Sequence, residues 1–294
     1  MRAWPPAGAL MADELLIATG LVVSYGKLRR SLFARTKRSG VAVLHGVNLE
    51  VRKGETVGIV GESGSGKTTL GRTLIGLVRP SAGSVYFDGV DITALDERKM
   101  RPLRPRMQMI FQDPMSSLNP RHTIGRILTQ PMRLHGIAND YASARGRAHD
   151  ILERVGLASS TMDCYSHELS GGQRQRVGIA RAVVLRPSFV IADEIVSGLD
   201  VSTQAQVLRL LKELTSEMHL ALVFISHDLS VIRSICDRVV VMQSGTVVEQ
   251  GPCEQVFAAP RADYTRMLLD AIPLPILDPD WLSRGPTAEN VGMN

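Results

Sequence analysis

One segment of eight residues, 61–68, constrains this chain more strongly than any other because it fits the pattern G-x-x-x-x-G-K-[ST]. An apolar run, residues 56–60, leads into it, and a run with helical character, residues 68–77, follows it. A strand that passes through glycines into a helix is the context in which this pattern binds phosphate. The segment therefore predicts a phosphate-binding loop.

Each residue type in this loop has a chemical use. Its glycines allow positive φ angles, so that successive backbone N–H groups can face an anion. The N-terminus of the following helix adds the positive end of a dipole. Lys67 can reach the terminal phosphates, and the Thr68 hydroxyl can ligate Mg²⁺. A glycine-rich turn that fits the pattern by chance is the alternative, and the flanking strand and helix argue against it.

The length and composition of the chain describe an ordinary globular protein. Its 294 residues can bury a sizeable core, as one large domain or two small ones. Hydrophobic residues make up 44% and charged residues 21%. The longest apolar runs, such as residues 221–225, are strand-sized, whereas a membrane-spanning helix needs about 20 residues. We therefore expect a chain that does not cross a membrane by itself.

The N-terminus and the cysteines give weak indications of the compartment. Residues 1–6 carry one positive charge and two prolines, which makes a poor signal peptide, and Met11 is an alternative start. Cys164, Cys236 and Cys253 lie far apart, without metal-ligand spacing. This pattern favours a reducing compartment and no cysteine-held cluster.

The net charge of +5 comes from one short stretch. Residues 27–38 contain six basic residues and no acidic ones, and without them 28 basic residues stand against 29 acidic ones. A loop near phospholipid head groups or near the acidic surface of a partner is one interpretation. A solvated insertion between two strands is the other.

Apolar periodicity predicts alternating strands and helices, which indicates an α/β core. One strand has Val43, Val47, Leu49 and Val51 on one face, and one helix has Val207, Leu208, Leu210, Leu211 and Leu214 on one face. Strands are predicted at 15–25, 42–51, 56–60, 84–87, 107–111, 189–192, 220–225, 238–242 and 246–249; helices are predicted at 68–77, 124–134, 142–155, 173–185 and 264–271. Since the residues between 113 and 186 are mostly helical, we expect them to form a separate lobe.

Two carboxylates follow the apolar strand at 189–192. Asp193 and Glu194 would lie at the carboxyl end of this strand, where open α/β sheets place their ligands. Because neighbouring side chains of a strand point to opposite faces, one carboxylate could hold Mg²⁺ and the other could face the terminal phosphate. In isolation such a pair is more often a solvated strand end.

A second anion site is predicted at residues 169–173, Leu-Ser-Gly-Gly-Gln, before an amphipathic helix. Ser170 can cap this helix, and the two glycines expose backbone N–H groups. A capped helix start would explain the segment by itself. However, two phosphate-binding elements on different lobes suggest that two copies of the protein face each other and share nucleotide.

Together these segments resemble the ATP-binding subunit of an ABC transporter. Walker A corresponds to residues 61–68, the glutamine loop to Gln112, the signature to 169–173, Walker B to 189–193, the D-loop to 197–200 and the switch histidine to His227. They stand in the order of the family and cover about residues 15–251. The resemblance implies an α/β fold, with a P-loop NTPase (RecA-like) core, an antiparallel β subdomain and an inserted α-helical subdomain.

The resemblance also implies a role for individual residues. Glu194 would polarise the attacking water and His227 would donate to the γ-phosphate, which makes them the catalytic residues. Thr68, Gln112 and Asp193 would surround Mg²⁺, and Asp200 would act in the D-loop. The expected nucleotide-binding residues are Tyr25, Gly61, Glu62, Ser63, Gly64, Ser65, Gly66, Lys67, Thr68, Thr69 and Gln112. Ser170, Gly171, Gly172 and Gln173 would act on the ATP of a partner subunit.

Two residues are candidates for adenine stacking, because the basic insertion places the first of them further upstream than is usual in this family. Tyr25 resembles the aromatic residue that stacks on adenine in this family, and core packing is the competing interpretation. Phe33, inside the insertion, is a substitute.

Two segments are similar to a subgroup that imports di- and oligopeptides or nickel. Residues 111–121 are similar to the segment after the glutamine loop, and Val256, Phe257, Pro260, Tyr264 and Thr265 resemble the C-terminal extension of that group. The chain departs from the pattern at Ile195, where proline is usual, and at Ala262 and Asp263, where a His-Pro pair is common.

The resemblance implies a peripheral ATPase at the cytoplasmic face of the inner membrane. Its expected ligands are ATP and Mg²⁺, and its expected partners are two permease subunits, a second ATP-binding subunit and an extracytoplasmic solute-binding protein, with no nucleic acid.

The expected parts are a disordered extension at 1–12, an ATPase domain at 13–252 with its helical subdomain at about 113–186, and a C-terminal extension at 253–294. A nickel or other small-solute importer, an exporter, and a soluble ATPase of DNA repair, chromosome structure or translation are the alternatives.

Overall fold

The computed structural model describes residues 13–26, 41–113 and 117–271. The predicted disordered extension, the basic stretch at 27–38 with Phe33, and the chain beyond residue 271 lie outside the described residues.

An antiparallel sheet is built from the first part of the chain. Its strands are β1 (Glu14–Tyr25), β2 (Val41–Arg52), β4 (Ala82–Phe87) and β5 (Val90–Asp91), in the order β2-β1-β4-β5. β1 is the central partner, since Ile17 pairs with Glu50 of β2 and with Tyr86 of β4. This sheet is the antiparallel β subdomain that the sequence predicts.

A second sheet is parallel except at one edge. Its strands are β3 (Thr56–Val60), β6 (Met107–Ile110), β7 (Phe189–Asp193), β8 (Ala221–Ile225), β9 (Arg238–Gln243) and β10 (Thr246–Pro252), in the order β10-β9-β3-β8-β7-β6. β10 returns antiparallel to β9 through a turn at Ser244 and Gly245, whose φ angles of 46° and 78° suit a tight hairpin. Every residue of β3, β7 and β8 is buried, as is typical of strands covered on both faces.

The helices of the described residues include those predicted from periodicity and others that were not predicted. They are α1 (Lys67–Leu74), α2 (Glu97–Met100), α3 (Ile124–Leu134), α4 (Tyr141–Arg154), α5 (Gly171–Val183), α6 (Val201–Met218), α7 (Leu229–Ile235), α8 (Cys253–Ala258) and α9 (Asp263–Asp270). α3, α4 and α5, which lie between β6 and β7 in the sequence, pack on one another and form the inserted helical lobe. Within the described residues, no helix combines the length and the apolar character that a bilayer span requires.

The parallel sheet separates two apolar cores, because successive side chains of a strand point to opposite faces. In β7, Val190 and Ala192 belong to the core shared with the helical lobe. Phe189 and Ile191 belong to the core shared with the antiparallel sheet and α1. The Phe189 ring lies 6.2 Å from the ring of Phe87 in β4, centroid to centroid, which joins the two sheets.

The predicted burial of β2 is wrong at its start. Val47, Leu49 and Val51 are buried as expected, but Val43 is only half-buried and Leu44 is buried in its place. Gly46 has a φ of 75°, and the pairing of β1 with β2 shifts register at this point. A bulge at a glycine reverses which side chains face the core, and strand alternation alone does not reveal it.

The first helix ends earlier than predicted, at Leu74 instead of residue 77. Gly76 adopts a φ of 67°, and its N–H donates to the Thr73 carbonyl at 3.0 Å. The Leu77 N–H donates to the Arg72 carbonyl at 2.9 Å, which completes a Schellman motif. The glycine therefore terminates the helix although the apolar pattern continues.

The contact between the two sheets predicts a large effect of Phe189→Ala. Removing this buried ring leaves a cavity between the sheets, so we expect the free energy of unfolding to fall by about 3–5 kcal/mol. Urea denaturation followed by circular dichroism measures the change. Leu134→Ala, whose side chain is 59% exposed on α3, is the control and should change the stability by less than about 0.5 kcal/mol. Equal effects of the two substitutions would contradict this packing.

Candidate phosphate-binding site

The predicted loop lies between the end of β3 and the start of α1. Gly61, Gly64 and Gly66 have φ angles of 148°, 81° and 98°. A Cβ on Gly61 would lie 2.1 Å from the Met242 carbonyl oxygen, so this position also excludes any side chain for lack of space. At Gly64 no atom of the described residues lies within 4 Å of the corresponding position, so glycine is favoured there by the backbone conformation alone.

Lys67 is a buried cation at the first position of α1. Its ammonium donates to the carbonyl oxygens of Gly61 and Glu62, both at 2.8 Å, so that the side chain lies across the loop that precedes it. Burial lowers the pKa of Lys67 below its ordinary value, and the carboxylates of Glu194 and Asp193 oppose this shift. The charge is thus held close to the loop and poorly compensated by solvent, as a binding group for an anion requires.

A hydroxyl and a carboxylate meet beside the loop. Thr68 Oγ1 donates to Asp193 Oδ1 at 3.0 Å, although 125 residues separate them in the chain. Asp193 is 2% exposed, and burial raises the pKa of its carboxyl, while the Thr68 hydrogen bond opposes the shift. The carboxyl end of β7 therefore supplies a buried oxygen ligand next to the predicted phosphate position.

The strand alternation predicted for Asp193 and Glu194 does not extend to Glu194. The strand ends at Asp193, and Glu194 has a φ of 49°, so it is not the next residue of a pleated strand. Its N–H donates to the Ile225 carbonyl at 3.0 Å, which fixes the turn against β8. A non-glycine residue in this region of φ is strained by about 1–3 kcal/mol, and such strain is frequent at functional sites.

Two predicted residues flank the Glu194 carboxylate. Gln112 Nε2 donates to Glu194 Oε2 at 3.0 Å, which leaves the amide oxygen of Gln112 free of this contact. His227 Nδ1 lies 3.9 Å from Glu194 Oε1, and the His227 side chain is 60% exposed. Gln112, Glu194 and His227 follow β6, β7 and β8, which are neighbours in the sheet, so their approach results from the strand order.

Ser65 has an unsatisfied hydroxyl inside the loop. It is 4% exposed, and within the described part of the chain its Oγ has no hydrogen-bond partner. Buried hydroxyls in native proteins are usually paired, so this atom calls for an additional partner such as a ligand oxygen. Glu62, Ser63 and Gly64 are exposed, and Thr69 is half-buried in the first turn of α1.

The predicted second anion site begins α5, on the helical lobe. Ser170 Oγ accepts from the Gln173 N–H at 3.3 Å, and Gln173 Oε1 accepts from the Ser170 N–H at 2.8 Å. This capping box fixes the helix start while Ser170 and Gly171 stay exposed. Both bonds join residues of the same turn, and the turn remains accessible to solvent.

Asp200, the predicted D-loop residue, lies close to this surface. It caps α6, and its carboxylate accepts from the Thr203 N–H at 2.9 Å and the Thr203 hydroxyl at 2.6 Å, which hold the pKa of Asp200 below its usual value. A Cβ on Gly172 would lie 2.9 Å from Thr203 Cγ2. The starts of α5 and α6 therefore pack side by side, and Gly172 permits their close approach.

Tyr25 lies at the end of β1 with 49% of its surface exposed. It pairs with Val41 of β2, at the edge of the basic stretch that lies outside the described residues. This exposure argues against the core-packing interpretation and leaves about half of the residue accessible to a ligand.

Two contacts near the site were not predicted from the sequence. The guanidinium carbon of Arg181, in α5, lies 5.8 Å from the centroid of the Phe111 ring, and the guanidinium donates to the Ser117 carbonyl. It thereby ties the helix of the second anion site to the segment that contains Gln112. Tyr264 of α9 accepts a hydrogen bond from the Glu62 N–H at 3.1 Å. Neither contact has a local sequence signal, since each joins residues more than 60 positions apart.

Comparison with known proteins places this geometry in a family. Residues 44–197 match the family described as ABC transporter. The chain is 50% identical over 246 residues to a Brucella ovis protein named as a putative peptide import ATP-binding protein; the match covers 84% of this chain and 77% of that one. It is 47% identical over 263 residues to a Bacillus subtilis oligopeptide transport ATP-binding protein, with coverage of 89% and 79%.

Solved structures agree with the fold. A dimeric ATP-binding cassette in a post-hydrolysis state, bound to ADP and inorganic phosphate, superposes with a TM-score of 0.72 at 28% sequence identity. The superposition covers 81% of this chain and 99% of the cassette. The predicted α/β architecture, with its P-loop core, is confirmed.

The buried carboxylate predicts a gain in stability from Asp193→Asn. Because burial raises the folded-state pKa of Asp193, its ionised form opposes folding once the pH rises through that pKa. The ligand-free variant should therefore unfold at a higher temperature than the parent at pH 8, and the difference should shrink toward pH 4. Thermal scans by circular dichroism across this range measure it.

Asp150→Asn, on the exposed face of α4, is the matched control and should show no such pH dependence. A lower melting temperature of Asp193→Asn at pH 8 would contradict the proposed burial cost.

Proposed function

Because this chain belongs to the ABC transporter family of ATP-binding cassettes, we propose that it is the ATP-hydrolysing subunit of a bacterial importer that takes up peptides. The observation that carries the ATPase chemistry is the arrangement at one edge of the sheet. There, a phosphate-type loop, a buried carboxylate at Asp193 and a second carboxylate at Glu194 lie together.

The loop and Lys67 would bind the phosphates of ATP. The ammonium of Lys67 now donates to two loop carbonyls, and phosphate oxygens would replace these acceptors with charged ones, which form stronger hydrogen bonds. The unpaired Ser65 hydroxyl and the N–H groups at the start of α1 add further donors. Tyr25 would stack on the adenine with its exposed ring.

The oxygen ligands beside the loop fit Mg²⁺. Thr68, Asp193 and Gln112 offer a hydroxyl, a carboxylate and an amide oxygen, which are the hard donors that this ion prefers. The raised pKa of Asp193 supports the assignment, because a buried carboxylate without a cation is poorly stabilised. When bound, Mg²⁺ would neutralise negative charge on the phosphates.

Glu194 and His227 would carry the chemical step. The Glu194 carboxylate accepts a proton from water, whose oxygen attacks the γ-phosphorus as the bond to the β–γ bridging oxygen breaks. ADP leaves with the electron pair of that bond, and inorganic phosphate forms. Gln112 holds the carboxylate in place, and His227, at 3.9 Å from it, can donate to the γ-phosphate.

The second anion site implies a partner cassette. Ser170, Gly171, Gly172 and Gln173 are fixed by their own capping box and face solvent or are half-buried, so they would bind the ATP held by a second ATP-binding subunit. Asp200, at the neighbouring helix start, would take part in the same interface. ATP would close the pair and hydrolysis would reopen it.

The remaining partners follow from the peptide-import assignment. Two permease subunits would form the pathway, with this chain bound at the cytoplasmic face of the inner membrane. An extracytoplasmic solute-binding protein would deliver the peptide. Arg181 would help to couple this chain to the permeases, because it ties the helix of the second anion site to residues after Gln112.

Uptake by cells that lack this chain tests the peptide assignment. Accumulation of labelled di- and oligopeptides should be lost on deletion, should return with the parent gene, and should not return with the Lys67→Ala variant. Nickel uptake, measured in the same strains, should stay unchanged. Loss of nickel uptake with intact peptide uptake would overturn the peptide assignment and keep the ATPase.

A substitution of the proposed base tests the chemistry. We expect Glu194→Gln to bind ATP with near-parental affinity and to trap the closed dimer, while hydrolysis falls by about two orders of magnitude or more, as for the loss of a general base. Size-exclusion chromatography with ATP and a phosphate-release assay measure the two effects. Glu213→Gln, exposed on α6, is the control. Undiminished hydrolysis by Glu194→Gln would refute this role.

A further inference from the structure

A tyrosine of the C-terminal segment holds the backbone of the phosphate loop. Tyr264 Oη accepts a hydrogen bond from the Glu62 N–H at 3.1 Å, across 202 positions of sequence. From this contact we propose that Tyr264 is a positioning residue that sets the affinity of the loop for ATP. The inference rests on the proposed function, because it concerns nucleotide bound at residues 61–68.

The peptide groups around Glu62 are held from two sides. Tyr264 takes the N–H of Glu62, and the Lys67 ammonium donates to the Glu62 carbonyl at 2.8 Å. Bound phosphate would attract Lys67 and weaken the second of these contacts, whereas the neutral Tyr264 hydroxyl would keep its hydrogen bond from the Glu62 N–H. Tyr264 would therefore keep the start of the loop in place when nucleotide enters.

The hydroxyl of Tyr264 is itself rigidly placed. The side chain is 7% exposed and belongs to the same apolar core as Cys253 and Val256 of α8. It lies in the first turn of α9, and its position is therefore determined by how that helix begins. A rigid acceptor loses little conformational entropy when it binds the loop, so the contact favours one loop conformation.

Glu249 of β10 anchors the start of α9. Its two carboxylate oxygens accept from the N–H groups of Arg261, at 2.8 Å, and Ala262, at 3.0 Å. β10 pairs with β9, and β9 pairs with β3, the strand that leads into the loop. Two strands of one sheet, β10 and β3, thus support the two sides of the Tyr264 contact, and Glu249 positions the start of the helix that carries Tyr264.

The contact couples the C-terminal segment to nucleotide binding. If docked α9 raises the affinity for ATP, then ATP must favour docking of α9 by the same factor, because coupling between two binding equilibria is reciprocal. The segment is then a part of the nucleotide site, although it lies beyond the residues that match the family.

Tyr264→Phe tests the inference, since it removes the hydroxyl and keeps the ring. For the loss of one hydrogen bond we expect Kd and KM for ATP to rise by roughly two- to tenfold while kcat stays close to that of the parent. Calorimetry with ATP in EDTA and a phosphate-release assay on the purified chain measure these constants. Tyr86→Phe, on β4 of the other sheet, is the matched control and should leave them unchanged.

A double-mutant cycle tests the path through Glu249. Glu249→Ala should raise Kd as well, and its combination with Tyr264→Phe should raise Kd no further than the larger single effect, because both act through one contact. Hydrogen exchange of α9 should slow on addition of ATP in the parent and should not respond in Tyr264→Phe. Additive effects, or an exchange response that survives the substitution, would overturn the coupling.

The outcomes separate this inference from the proposed function. A parent chain that does not bind ATP refutes both. A parent that binds ATP and a Tyr264→Phe variant with the same Kd and KM refute the role of Tyr264 alone.

Discussion

The structure depends on the burial of opposite charges at the carboxyl end of a parallel sheet. Lys67 and Asp193 are each almost inaccessible to solvent. Burial lowers the pKa of Lys67 and raises the pKa of Asp193, and both shifts favour the neutral form of the side chain. Such charges are tolerated where each is hydrogen-bonded and where a ligand of the other sign completes the site. The glycines of the loop, the Thr68 hydroxyl and the order of the strands all serve to hold these two groups next to an anion.

The helical lobe presents the predicted second anion site without buried charges. Its helix α5 begins with an exposed Gly171 and a half-buried Gly172 next to a capping box, so the lobe offers backbone N–H groups without closing a site around them. In the proposed function, this surface would complement a nucleotide bound at residues 61–68 of a second subunit. Arg181 then links that surface to the segment around Gln112, which lies beside Glu194.

Local patterns predicted the elements well where a single principle governs the backbone. The strands at 56–60 and 189–192 and the helix at 124–134 follow from apolar runs and periodicity, since burial decides them. Val43 was misplaced because a positive φ at Gly46 shifts the register, and the first helix was extended too far because Gly76 ends it. In both cases a glycine adopts a positive φ that the neighbouring residues do not predict. A glycine can also continue a strand or a helix, so its presence alone does not indicate the change.

The sequence by itself determined the loop, the two carboxylates, the capped helix start and their family, because each depends on residues that are close together in the chain. Tertiary structure decided the rest. It places Glu194 in a left-handed turn between Gln112 and His227, and it places Tyr264 against Glu62. These contacts join distant segments through the order of strands in a sheet, and no local pattern of residues encodes which strand lies beside which.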